Sequence, residues 1–214
     1  MDAKRRRIFD AAAALFAEHG FEGVPTRAIS ERADVAEGTL FRYAETKAEL
    51  LLMVYNVEFG GAISAGVAAA ERLDDPTDAV FALVRPVLER NQKPANALHY
   101  QRELFYGSGK SQHRAEGLEL VARLERAIAT TLVQAAGDAG EATLLAAERA
   151  SRLVFAGLHL ALAQPSTHAH VDRPPAPELR AQVDLVVRGF LDAVSTSPDR
   201  QHALAHTFSK ETSQ

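Results

Sequence analysis

Cysteine is absent from the 214 residues, which removes disulfides, thiolate chemistry and cysteine-based zinc sites from consideration. No run approaches the roughly 20 apolar residues of a membrane span. Nothing alternates with the period of two that marks a strand, and no segment repeats. An excess of basic charge is missing too. The formal net charge is −4, and residues 1–47 balance eight Lys/Arg against eight Asp/Glu. What remains is an ordinary soluble balance, 47% apolar and 24% charged. The chain is long enough for one or two domains and a substantial core. The basic opening Lys4-Arg5-Arg6-Arg7 resembles the start of a secretory leader. It leads instead into an amphipathic stretch containing Asp10 and Glu18, so a cytoplasmic protein is expected.

The periodicity that is present is helical throughout. Ile8, Ala12, Leu15 and Phe16 stripe a first helix over about residues 2–19, closed by Gly20 and the apolar Phe21. A long helix over 47–73 carries Leu51, Leu52, Val54, Tyr55 and Phe59. Its Gly60, Gly61 and Gly66 imply either close packing or flexing. Asp74-Asp75-Pro76-Thr77 breaks the chain. Beyond it lie a Pro86-containing fifth helix, a short sixth over 97–106, and a seventh that ends near Gly137 and shows Leu118, Val121 and Leu124. The eighth spans about 141–163 and shows Leu144, Leu145, Leu153 and Leu158. A polar, proline-rich linker over 164–177 precedes the ninth, which runs from Leu179 to Val194. The expectation is an all-α chain of about nine helices. It divides into 1–46, a connecting helix 47–73, a helical unit 74–195 and a tail 196–214.

The chain turns on Thr26 to Lys47, TRAISERADVAEGTLFRYAETK. Thr26 is placed to cap a short helix bearing Ala28, Ile29, Arg32 and Ala33. Asp34 falls at the turn, where Asp tolerates the left-handed conformation. A second short helix over 37–43 turns Leu40 inward and Thr39, Arg42 and Tyr43 outward. Thr46-Lys47-Ala48-Glu49 then fits a capping box ahead of Leu50. Helix, sharp turn and short polar-faced helix make a helix-turn-helix, whose second helix fits a DNA major groove.

These first fifty or so residues resemble the DNA-binding domain of the tetracycline-repressor (TetR) family of bacterial transcriptional regulators. The likeness is carried by Ala17-Glu18-His19-Gly20-Phe21, Thr26, Ile29, Ala33, Val35, Gly38-Thr39-Leu40-Phe41-Arg42-Tyr43 and Lys47. Asp34 stands where the family usually has Gly, Ala36 where it has a capping Ser, and Ala44 where it has a bulky apolar residue. The resemblance implies a repressor that leaves its double-stranded DNA operator on binding a small apolar or amphipathic effector. Arg27 and Arg42 would read base edges, since Arg pairs bidentately with guanine. Thr26, Tyr43 and Lys47 would hold phosphates, Thr39 would touch a thymine methyl or a phosphate, and Gly38 would admit close backbone approach. Glu37 would cap its helix or accept from cytosine. Phe41 takes the place of the family's Tyr and lacks its hydroxyl.

For the helical unit the resemblance implies a ligand site, for which Tyr100, Arg102, Phe105, Tyr106, Phe155 and His159 are the candidate residues. It also implies a homodimer through the eighth and ninth helices, whose apolar faces are wide. The alternatives are an activator or partner-regulated DNA-binding protein, or a helical small-molecule binder with an architectural helix-turn-helix. Enzyme motifs fail on context, and no cofactor or resident metal is expected. Gly109-Lys110-Ser111 ends like a phosphate-binding loop, but Leu104 occupies the position of its first Gly. Ala62-Ile63-Ser64-Ala65-Gly66 lacks the first Gly of a nucleophile elbow. His168, His170 and Asp172, and separately His202 and His206, have ligand-like spacing without further ligands.

Overall fold

The computed structural model describes residues 3–90, 94–107, 111–167 and 172–196. Within them lie nine helices and no strand, in agreement with the periodicity. They are α1 (Ala3–Gly23), α2 (Thr26–Arg32), α3 (Glu37–Leu40), α4 (Lys47–Ala70), α5 (Pro76–Glu89), α6 (Pro94–Tyr106), α7 (Gln112–Ala136), α8 (Glu141–Thr167) and α9 (Pro175–Ser195). The histidines at 168, 170, 202 and 206 and the Gly109-Lys110 pair lie outside the described residues.

Local chemistry sets most of these boundaries. The Ile8, Ala12, Leu15, Phe16 stripe of α1 is buried. Gly20 breaks the helical path at φ 78 and ψ 162, a conformation a side chain resists. Thr46 caps α4, its hydroxyl oxygen accepting the Glu49 N–H at 3.1 Å. The Glu49 carboxylate accepts the Glu45 N–H at 2.6 Å, one residue earlier than a capping box requires. Asp75 caps α5 ahead of Pro76. Ser111 caps α7 by accepting the Arg114 N–H at 3.1 Å. α8 runs through Pro165 into the expected linker and ends at Thr167.

Two apolar clusters hold the helices together. One joins α4, α5, α7, α8 and α9 through residues such as Ile63, Leu83, Leu124, Ile128, Leu158 and Val183. The other joins α1 to α3 and the start of α4, but also takes in Tyr100 and Leu104 of α6 and Val121 of α7. The N-terminal unit is therefore packed onto the body. By length and composition α4 does match a membrane span, contrary to the reading from composition. In the fold it is the central helix, with Leu50 to Val54 all buried. The close-packing alternative applies at Gly66, where a Cβ would come within 2.6 Å of the Leu83 carbonyl oxygen of α5. Leu118 of α7 and Leu144, Leu145 and Leu153 of α8 are exposed.

Candidate nucleic-acid interface and ligand cavity

The α2–turn–α3 unit is built differently at its ends from the sequence expectation. Pro25 holds the cap position of α2 without a side-chain bond, so Thr26 starts the helix instead of capping it. Its hydroxyl donates to Glu37 Oε1 at 3.1 Å, tying the start of α2 to the start of α3. Asp34 has φ 51, the left-handed geometry its position demands. The Arg7 guanidinium holds its carboxylate at 3.1 Å. This contact gives Asp34 a role that Gly lacks. α3 is one turn long, shorter than the predicted 37–43. Ala36 supplies no cap, and Phe41 to Tyr43 continue as a turn in which Tyr43 N–H bonds the Leu40 carbonyl at 3.0 Å.

Among the basic groups, several are struts. Arg32 grips Glu18 through two bonds of 2.9 and 3.0 Å, and Arg7 is committed to Asp34. Arg27 is exposed and paired with Glu31 at 2.8 Å, a surface contact worth about 0–1 kcal/mol and easily exchanged for another acceptor. Arg42 is exposed and forms no ion pair with the described residues. Beside it, a Cβ on Gly38 would meet nothing within 4 Å, so this glycine leaves room outside the protein. Thr39 and Tyr43 are half-buried. Lys47 Nζ sits 4.5 Å above the Phe21 ring and 3.4 Å from the Glu22 carbonyl oxygen.

Two polar ties, neither anticipated from sequence, fasten this head to the body. Asn96 of α6 is buried. Its Oδ1 accepts the Phe21 N–H at 2.7 Å, and its Nδ2 donates to the Phe16 carbonyl at 2.9 Å, on either side of the Gly20 break. The second tie is a chain of buried groups. The Tyr100 hydroxyl donates to Asn56 Oδ1 at 2.8 Å, and Asn56 Nδ2 donates to the His113 carbonyl at 2.7 Å. The His113 imidazole meets the Tyr43 carbonyl at 3.3 Å through Nε2 and the Glu116 carboxylate at 2.9 Å through Nδ1. Gly117 makes room for the crossing, since a Cβ there would stand 2.8 Å from Asn56 Oδ1.

Tyr100 also walls a cavity of about 80 Å³ between α4, α5, α6, α7 and α8. Phe105, Phe155 and His159 line it, the two phenylalanines meeting edge-on at 6.0 Å. Arg102 and Tyr106, the other two of the candidate set beside Tyr100, do not line it. On α6 the lining positions are Ala97, Tyr100, Gln101, Leu104 and Phe105; Arg102 falls off that face, and Tyr106 is 78% exposed. Glu58, Arg90 and Gln101 join the lining from positions with no shared sequence pattern.

Burial tunes the titrating groups here. It pushes the Tyr55 hydroxyl up to about 12 and the Tyr100 hydroxyl higher still. It holds the His159 imidazole below its ordinary range. A histidine that resists protonation in the folded state binds its proton more readily when unfolded, so stability falls as pH drops through the unfolded value near 6.5. Thermal unfolding from pH 7.5 to 5 should therefore fall less steeply in His159→Phe than in the parent chain.

Comparison with known proteins gives three findings. Residues 8–54 match the profile of bacterial regulatory proteins of the tetR family. The chain is 43% identical over 75 residues to the transcriptional repressor KstR of Mycolicibacterium smegmatis, covering 35% of this chain and 31% of that protein. It is 50% identical over 56 residues to KstR of Rhodococcus jostii, covering 26% of each. The chain thus spans about a third or less of the length of the curated relatives it matches. In fold it is similar to the regulator FadR of Bacillus subtilis in complex with stearoyl-CoA, with TM-score 0.63, 17% identity and coverage of 86% and 98%. The TetR family regulator PfmR of Thermus thermophilus has TM-score 0.56, 20% identity and coverage of 85% and 97%.

Proposed function

We propose, from the membership of residues 8–54 in the tetR family of bacterial regulatory proteins, that this chain is a dimeric transcriptional repressor released from its operator by a lipophilic effector. The observation that carries this reading is the pair of polar ties. A helix-turn-helix with an uncommitted Arg42 is fastened, through Asn96 and through Tyr100–Asn56–His113, to the helix that walls an apolar cavity.

Arg42 and Arg27 are the base readers, with Gly38 allowing approach and Thr39, Tyr43 and Lys47 on phosphates. Thr26 and Glu37 hold each other, so their first duty is to set the angle between α2 and α3. Because the head is nearly neutral, one head binds weakly, and two heads must engage together. The dimer forms through α8 and α9, where Leu153, Leu160 and Leu185 stand 62%, 69% and 73% exposed. A two-fold contact there sets the two α3 helices about 34–36 Å apart, one DNA turn.

The effector enters the cavity and displaces α6, which carries Asn96 and Tyr100 on consecutive turns. An effector seated among Ala97, Tyr100, Gln101, Leu104 and Phe105 bears directly on α6. Release follows if the effector favours the displaced arrangement, and only in proportion to that preference.

Footprinting on the DNA flanking its own gene tests the repressor reading; no protected two-fold site would overturn it. On that site Arg42→Ala should weaken binding by about 1–3 kcal/mol and relax selectivity at one base. Lys47→Ala should weaken all sequences equally and lower the salt slope by about one.

A further inference from the structure

The cavity holds one feature that a purely apolar effector leaves unexplained. Gln101 is only 6% exposed and lines the cavity. Its Nε2 donates to the His159 carbonyl at 3.4 Å. Oε1 is left with no partner among the described residues. A buried amide oxygen without a donor is costly, on the order of 1–3 kcal/mol, and calls for a ligand or a functional reason. The His159 ring, on the same cavity wall, packs edge-on to Phe105, with centroids 5.1 Å apart. Neither of its ring nitrogens forms a hydrogen bond with the described residues.

We infer that Gln101 and His159 form a hydroxyl-recognition site inside the cavity, and that the ligand is an uncharged lipophilic alcohol. The inference rests on the reading of this cavity as the effector site. A hydroxyl is a small uncharged group that gives and accepts at once. It donates to Gln101 Oε1 and accepts from the N–H of a neutral imidazole, the form that burial favours for His159. A ketone accepts only and leaves Oε1 unpaired. A carboxylate faces the amide oxygen with its charge; the charged residues of the lining, Glu58 and Arg90, are exposed, and Arg90 Nη1 donates to the Glu58 backbone carbonyl at 3.5 Å. Apart from Tyr55 and Tyr100, the rest of the wall, including Phe59, Val121, Leu158 and Leu162, is apolar. At about 10–15 Å³ per water, the volume corresponds to about six waters, room for a body of about six to eight heavy atoms.

The test uses the full chain and three probes of one length: 1-hexanol, 2-hexanone and hexanoate, titrated calorimetrically. Hexanol should bind roughly tenfold or more tightly than either of the others, because the site loses a buried hydrogen bond with each. Gln101→Leu should erase the margin of hexanol over hexanone while keeping hexanone binding. His159→Phe, close in shape, should reduce hexanol binding and provides a second reading if the leucine variant fails to fold. Equal or tighter binding of hexanone or hexanoate overturns the hydroxyl site and leaves the cavity as the effector site. A hexanol margin that survives in both variants has the same consequence. No binding by any of the three overturns the cavity reading itself, and the inference with it, while operator binding remains separately measurable.

Discussion

Replacing Leu153 and Leu160 together by glutamate should give a folded monomer that no longer holds its operator. Both side chains stand free of the protomer's core, so the substitution costs the single chain little. Leu145, Leu153 and Leu160 recur at spacings of eight and seven along α8, which keeps them on one face. Each leucine buried in a contact contributes about 1.5–3 kcal/mol, so the four in a symmetric dimer supply roughly 6–12 kcal/mol before the cost of association. A micromolar dimer rests on about 8 kcal/mol in all, and four buried carboxylates would abolish it. The effect on DNA is larger than any single contact gives. Losing the second head forfeits an avidity of about 10²–10⁴. Light scattering and gel shift on the same sample check both halves. A variant that stays dimeric places the interface elsewhere.

How much of this was legible depended on whether the information was local. The left-handed turn at Asp34, the break at Gly20 and the Thr46 cap are decisions of a few residues each, and the sequence carries them. The one-turn length of α3 was nearly legible too. Ala36 announces a missing cap, but the pattern of Leu40 and Tyr43 suggested a longer helix than an uncapped segment sustains. The cavity was half legible. In α6, large side chains occupy almost every position from Leu98 to Tyr106, so the stretch has no apolar phase to read, and Arg102 and Tyr106 could not be told from Tyr100 and Phe105. The same ambiguity holds for Leu144, Leu145 and Leu153: a wide apolar face reads alike whether it meets its own core or a partner. Asn56, Asn96 and His113 were not legible at all. Each is a lone polar residue whose ties across the fold reach partners 44 to 80 positions away, and only the packing brings them together.

Asn56→Leu should be the most damaging single change in the body, and its effect should depend on Tyr100. The asparagine joins the Tyr100 hydroxyl to the His113 carbonyl with both its amide atoms. Removing it orphans two buried polar groups at about 1–3 kcal/mol each, roughly 2–6 kcal/mol against a total stability of about 5–15. The leucine also needs space that α7 yields only through Gly117, where Asn56 Oδ1 already stands 2.8 Å from a Cβ position. Tyr100→Phe alone leaves Asn56 Oδ1 unpaired and costs less. Combined with Asn56→Leu it removes one orphan, so the double variant should be more stable than the sum of the singles predicts, by about 0.5–3 kcal/mol in urea denaturation. A strictly additive pair would mean the two groups do not share a bond in solution. The operator response separates structure from transmission. The Tyr43 carbonyl is reached from the cavity by this chain, so Tyr100→Phe should bind operator nearly as well as the parent yet lose part of the response to any compound that fills the cavity. If release is undiminished in that variant, the coupling runs through Asn96 and the end of α1 instead.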